Sequence, residues 1–215
     1  MRSTSGNWEE ISILADKYKN FEELAADEQE GLDFQVRFRA RRGTAAVIAP
    51  HGGGIEPGTS ELADAIANVD LSFYAFEGIK KAANGILHIT SARFDEPQGV
   101  ALVAASPVVI ALHGEDSGDP VVFLGGLDQD LGARIQAYLK GEGFIVGTHD
   151  NPNLQGHDKS NICNRGQSGR GVQLELSHGL RALFFPTLAK NGRQHPTEQF
   201  GRFVNAVRRG ILPAP

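Results

Sequence analysis

The chain has 215 residues, 40% hydrophobic and 22% charged, with 26 glycines, 10 prolines and a net charge of −5, which is enough for one globular domain, 1–215, with a sizeable core. A pI near 5.8 argues against a nucleic-acid binder, which needs a basic face, and a single cysteine, Cys163, excludes a disulfide framework and a Cys-based structural zinc site. The longest apolar stretch, residues 100–112 with Ser106 and Pro107 inside it, is too short to cross a bilayer.

The N-terminal MRSTSGNWEEISILADKY turns acidic and amphipathic where a secretory signal needs an apolar core, so the expectation is a cytoplasmic protein or one released by lysis. Residues 21–30 read as a short helix with Asn20 placed to cap it. Phe34, Val36 and Phe38 alternate with polar residues as on a half-buried strand. Residues 45–50 (AAVIAP) form an apolar strand ending at His51 and three glycines, after which Thr59 or Ser60 caps a helix carrying Leu62, Ile66 and Ala67. Strands are expected at residues 71–76, 86–90, 108–112, 121–124, 144–146 and 172–176. Helices are expected at residues 131–139, from about His178, and from Thr197 to Arg209. Apolar strands alternating with helices predict an α/β fold, a single domain with a mixed, mainly parallel sheet and helices on both faces. Sites in such sheets form beyond the carboxyl ends of the strands, and His51, His113 and Glu175 all lie at or near strand ends.

His51-Gly-Gly-Gly-Ile-Glu56 sets a His and a Glu five apart across a glycine run, so that a tight backbone can aim both side chains at one point. Imidazole nitrogen with carboxylate oxygen suits zinc, whose catalytic sites take three protein ligands and keep a position open. Manganese or cobalt would accept the same donors. His113 is the natural third ligand, and Glu175 on GVQLELS is the candidate general base for a metal-activated water. Two other readings of the glycine run stay open at this point. One is an oxyanion-type HGGG turn, which needs a G-x-S-x-G nucleophile elbow that the chain lacks; the other is a turn with no chemistry.

Residues 151–181 carry four basic side chains (Lys159, Arg165, Arg170, Arg181) against two acidic ones, a net of +2, while the remaining 17 basic and 24 acidic residues carry −7. A locally cationic loop on an anionic chain suggests an anion site, where an arginine fork grips a carboxylate at two points. Asn161 and Asn164 suit either turn formation or polar contact with a substrate. His88 reads as a core histidine and Cys163 as a buried small side chain. Asp95 and Asp128 are placed as possible orienters of ligand histidines, and His149, His157 and His178 flank the site without being assigned to it.

HGGGIEPGTSE, FEG at residues 76–78, LHIT followed by FDEP, HGEDSG, GG with Asp128, NICNRG and GVQLELS occur in that order. With them the chain resembles the poly-γ-glutamate hydrolase family, typified by bacteriophage enzymes, from about Asp16 to Phe185. The resemblance implies a zinc-dependent amidohydrolase with a fold similar to zinc carboxypeptidases: one zinc ion on His51, Glu56 and His113, Glu175 as base, and Arg165 after Asn164 for the substrate carboxylate, helped by Arg181 or Lys159. The His-to-Glu spacing is longer than the carboxypeptidase His-x-x-Glu, and the Asn-Arg pair follows the third ligand where theirs precedes it. GVQLELS is also similar to N-formylglutamate amidohydrolases. The expected substrate is therefore poly-γ-glutamate or, as an alternative, a small acidic N-acyl or γ-glutamyl amino acid, with a non-catalytic metal-containing binding protein as the remaining reading.

Overall fold

A computed structural model describes residues 16–212; the amphipathic N-terminal expectation falls mostly outside them. Seven strands form one sheet in the order β1-β3-β2-β4-β7-β5-β6. The strands are β1 (Phe34–Arg39), β2 (Ala46–Gly53), β3 (Ser72–Gly78), β4 (Val109–Glu115), β5 (Val121–Gly125), β6 (Ile145–Gly147) and β7 (Val172–Ser177). The central four, β3, β2, β4 and β7, are mutually parallel. Both edges reverse: β1 runs antiparallel to β3, and β5 runs antiparallel to β7 with β6 parallel to β5. The sheet is mixed and mainly parallel, as the apolar runs implied.

The central strands are apolar on both faces because both are covered. Val47, Ala49, Phe73, Ala75, Ile110, Leu112, Val172, Leu174 and Leu176 share one core with α2 (Thr59–Ala67), α4 (Gln129–Gly141), α5 (His178–Phe184) and α6 (Glu198–Ile211). Ala46, Ile48, Tyr74, Phe76, Val109 and Ala111 point the other way, against α1 (Phe21–Asp27), α3 (Pro97–Ala104) and the irregular segment bearing Leu87, Ile89 and Phe94. On this second face β7 changes character, since the residues alternating with its apolar ones are Gln173, Glu175 and Ser177, all buried.

Several local expectations need correction. Residues 86–90 are not a strand. A 3-10 turn, Asn84–Leu87, leads into irregular backbone, in which Ile89 O and Thr90 N bond to side chains where a strand would bond to a neighbouring strand. The apolar stretch 100–112 is two elements, the end of α3 and the start of β4. The helix was signalled by Pro97 at its first turn and by Glu96, whose carboxylate accepts from Gln98 N and Gly99 N. Asn20 does cap α1, accepting from Glu23 N at 2.9 Å. Neither Thr59 nor Ser60 caps α2, which starts from Gly58 at φ 102. Their hydroxyls brace the preceding loop: Thr59 Oγ1 donates to Glu56 O and Ser60 Oγ accepts from Gly53 N, both at 2.9 Å.

Helices α4 and α6 pack through Gly210, where an added Cβ would lie 2.7 Å from Ile135 Cα. Gly210→Val should therefore lower stability by about 1–3 kcal/mol through overpacking. Gly201→Ala on the same helix, where the added Cβ meets open space, should raise it by up to about 1 kcal/mol. Urea midpoints decide, and an unchanged midpoint for Gly210→Val would contradict the close approach of the two helices.

Candidate metal centre

The parallel strands β2 and β4 are neighbours, with β7 on the far side of β4, and residues near their carboxyl ends supply the site. His51 sits near the end of β2, where the register with β3 shifts between Ala49 and Gly52. The chain then turns so tightly that Glu56 N donates to His51 O at 2.9 Å. Only glycine fits this turn. A Cβ on Gly52 would lie 2.1 Å from Ser60 Oγ, and Gly53 has φ +66 with its Cβ position 2.5 Å from Gly78 O. The result brings the Glu56 carboxylate to the His51 ring, with Oε1 3.0 Å from Nδ1. His113 on β4 comes from the next strand, its Nδ1 3.1 Å from His51 Nδ1 and 3.6 Å from Glu56 Oε2. Both histidines are 2–3% exposed.

The tautomer of His51 follows from its other nitrogen. Nε2 lies 2.8 Å from the carbonyl oxygen of Ile89, and a carbonyl only accepts, so Nε2 carries the proton. Burial, assisted by His88 and opposed by Glu56, pulls the His51 imidazole down to about 4, so near neutral pH its Nδ1 is a bare lone pair. That lone pair faces a second Nδ1 and a carboxylate at about 3 Å. On His113, Nε2 lies 3.3 Å from Ser91 Oγ, which leaves its Nδ1 toward the same point. Although burial alone would raise it, the two imidazoles hold the Glu56 carboxylate well below the usual carboxylate range. Two imidazole nitrogens and a carboxylate converging in a buried space form an acceptor-rich nest that a divalent cation suits, and the donor set fits zinc.

His88 corrects its expected role as a core histidine. It is half-buried, its ring lies 4.0 Å from that of His51, and with His51 and Glu56 it forms a group whose ligand atoms lie within 4.8 Å of one another. Its Nδ1, however, bonds Asp16 at 2.6 Å, and Asp16 is held by Thr90 N and Arg93 as well. Asp16 carries no motif of its own, and only its charge among apolar neighbours could have flagged it.

Glu175 lies directly opposite His113 in the β4–β7 register. It is 4% exposed, and burial pushes its carboxyl up to about 7, with His113 and a hydrogen bond from Gln173 opposing the rise. Burial lowers His113 less than the carboxylates of Glu175 and Glu56 raise it, so its net shift is upward.

The expected substrate contacts divide. Arg165 is half-buried, donates from Nη2 to Phe94 O, and keeps a buried Nε with no partner among the described residues. Phe94 itself packs edge-on to His51. Asn164 is spent on backbone: Nδ2 donates to Gly156 O and Asp158 O at 2.8 Å, and Oδ1 accepts from Leu127 N and Gly171 N. Arg181 is 3% exposed and donates to the carbonyls of Leu176, Pro57 and Glu115, bracing the backbone on both sides of the Glu56 turn. Sequence patterning presented Asn164 and Arg181 as free polar groups, because nothing local shows which carbonyls will surround a side chain. Asp128 caps α4 and Asp95 accepts from Phe21 N, which corrects their expected role beside histidines. Cys163 is buried, as expected.

Residues 18–206 match the model of the family described as poly-gamma-glutamate hydrolase. The SPbeta prophage-derived protein YoqZ of Bacillus subtilis strain 168 is 37% identical over 188 residues, 87% of this chain and 68% of that protein. YndL of the same strain is 37% identical over 202 residues, 92% and 79% respectively. Among solved structures, a bacteriophage poly-gamma-glutamate hydrolase superposes with TM-score 0.87 at 31% identity, covering 91% of this chain and 96% of that one. YndL in an apo, zinc-free form gives 0.85 at 36% identity, covering 91% and 97%.

Zinc titrated into the metal-free protein should raise its Tm, by about 4 kcal/mol of stability when free zinc is 1,000-fold above Kd. His113→Ala and Glu56→Ala should abolish the rise and His88→Ala should keep most of it; a rise kept by His113→Ala and lost in His88→Ala would move the centre to His51, Glu56 and His88. A second expectation concerns pH. Burial pushes the Glu175 carboxyl up to about 7 in the folded chain, from an ordinary 4.5, so the unfolded chain releases its proton first. Metal-free protein should thus lose on the order of 3 kcal/mol relative to Glu175→Gln as pH rises from about 4.5 to 7. Parallel stability curves for the two proteins would show that Glu175 ionises freely.

Proposed function

The chain belongs to the poly-gamma-glutamate hydrolase family, and from that premise we propose that it hydrolyses the γ-amide bonds of poly-γ-glutamate at one zinc ion held by His51, Glu56 and His113. The observation that carries the reading is the bare Nδ1 of His51 facing His113 Nδ1 and the Glu56 carboxylate at 3.0–3.1 Å, with Glu175 opposite His113 in register. Support for the metal also comes from a relative of 36% identity solved in a zinc-free apo form. When bound, zinc supplies Lewis acidity toward a carbonyl and a water nucleophile at neutral pH.

The remaining work falls to side chains of this chain. Glu175 takes a proton from the attacking water and returns it to the leaving amine, the pair of transfers that a carboxylate with an elevated pKa serves well. The Ile89 carbonyl and Ser91 hydroxyl keep the two imidazoles aimed, so the centre needs no reorganisation during turnover. A γ-linked polymer leaves each α-carboxylate free, and Arg165 has guanidinium hydrogens to offer one. Its tether to Phe94 O ties it to the same segment that orients His51. Arg181 and Asn164 act indirectly, through the backbone they hold.

The test is the viscosity and product size of poly-γ-glutamate incubated with zinc-replete wild type and with Glu175→Gln. Wild type should cut viscosity early and the variant should be slower by on the order of 100-fold or more, the range for loss of a general base. An unchanged viscosity with wild type would remove the polymer as substrate, and small acidic N-acyl and γ-glutamyl compounds would be assayed in its place.

A further inference from the structure

Asn161 of the NICNRG motif and Gln173 of GVQLELS have no part in the reaction described so far, yet both are buried, at 5% and 2% exposure. They form a chain of hydrogen bonds that runs in one direction. Cys163 N donates to Asn161 Oδ1 at 3.0 Å, Asn161 Nδ2 donates to Gln173 Oε1 at 2.9 Å, and Gln173 Nε2 donates to Glu175 Oε1 at 2.8 Å. The second hydrogen on Gln173 Nε2 goes to Leu154 O at 3.1 Å.

The direction is not free to reverse. Turning the Gln173 amide over would aim its oxygen at the Glu175 carboxylate and the Leu154 carbonyl together, and its NH2 at the Asn161 NH2. Asn161 is fixed in turn, because Cys163 N can only donate. Gly156 closes the remaining side: its Cβ position lies 2.9 Å from Gln173 Oε1 and 3.0 Å from Gln173 Cβ, so the loop is pressed directly onto the amide.

We propose that Gln173 and Asn161 are positioning residues for Glu175, committing its Oε1 to a hydrogen bond and leaving Oε2 as the oxygen that carries the proton; this rests on Glu175 being the base. Gln173 and Glu175 lie two apart on β7 and so share a face, which makes the strand itself the ruler for this contact. Oε2 accepts no hydrogen bond among the described residues. A carboxylate held at one oxygen and open at the other has one rotamer and one reactive lone-pair direction, and misplacing such a group by about 1 Å costs about 100-fold in rate.

The experiment compares poly-γ-glutamate hydrolysis by zinc-replete wild type, Glu175→Gln, Gln173→Met, Asn161→Leu and the double variant, with zinc content and Tm measured on each. Gln173→Met should lower kcat by about 10- to 100-fold with KM within about twofold and zinc content unchanged. Asn161→Leu should lose less, and the double variant should be no slower than Gln173→Met, because both act through one contact. Wild-type kcat in Gln173→Met beside an inactive Glu175→Gln overturns the positioning role and leaves the base intact. Multiplied losses in the double variant overturn the chain. An inactive wild type, or an active Glu175→Gln, overturns the underlying reading and this inference with it. Should Gln173→Met fail to fold, the side-chain amide signal of Gln173 in 15N-labelled, metal-free protein decides. Glu175→Gln and Asn161→Leu should each shift that signal, and one unmoved by Glu175→Gln overturns the proposal.

Discussion

One hydrogen bond sets the chemistry of the centre: His51 Nε2–H to the carbonyl of Ile89. It decides which nitrogen of His51 is bare, and so where an electron pair points. The carbonyl is held by packing, for Leu87, Ile89 and Phe94 are buried under the second face of the sheet. Polar atoms along the segment are bonded as well: Thr90 N by Asp16, Ser91 Oγ by His113, Ser91 O by Ile162 N, and Phe94 O by Arg165. This irregular segment converts hydrophobic burial into ring orientation, since it cannot shift without exposing apolar surface. Had it formed a strand, its carbonyls would have been spent on a neighbouring strand and none would have reached His51.

The centre also separates two carboxylates. Glu56 lies between two imidazoles and accepts from Gly114 N at 2.9 Å, which holds its pKa far down against burial. Glu175 is as buried and has an amide donor with His113 as its nearest opposing charge, which do not offset burial, and it rises to about 7. The two carboxyls are thereby pushed apart, one held as an anion and the other raised toward the neutral form. Arg181 is the structural counterpart of that asymmetry. Its fork holds Pro57 O and Glu115 O together, fixing the backbone on which Glu56 and the end of β4 are mounted, and it contributes positive charge within a site rich in acceptors.

Much of this was legible in the sequence, for reasons that differ by element. Strands β2 and β4 were read from AAVIAP and VVIAL because a strand buried on both faces leaves a continuous apolar run. His51 and His113 drew attention because each stands where such a run ends, and Glu56 because it follows His51 across three glycines. Within VQLELS the polar residues alternate with apolar ones, which set Gln173 on the face of Glu175, but the sequence reading singled out Glu175 alone. The missing parts are those decided by distance in sequence. Residues 86–90 look like a strand, but their backbone bonds to side chains brought from Asp16 and His51, which no local pattern shows. Helix α3 was obscured because it runs into β4 without a change in hydropathy. Asp16 reaches His88 across 72 residues, and the spending of Asn164 and Arg181 on carbonyls depends on backbone brought in by other elements. Local pattern registers burial and turn chemistry; it does not register which acceptors a fold will deliver to a donor.

The charge distribution bears on how a polyanion could reach such a centre. A net charge of −5 repels a carboxylate polymer at long range, but at physiological salt the Debye length is about 8 Å, so distant charges matter little. What a polymer segment meets at the surface is local. The segment 151–181, with a net of +2, packs against the site through Ile162 N on Ser91 O and Arg165 on Phe94 O. Of its cations, Arg181 is sealed inside and Arg165 is half-buried, while Lys159 and Arg170 stand exposed. Exposed cations attract without fixing geometry, and a half-buried guanidinium such as that of Arg165 sits in lower dielectric, where a carboxylate contact is stronger and more directional. Of these cations only Arg165 is tied, through the Phe94 carbonyl, to the element that orients His51.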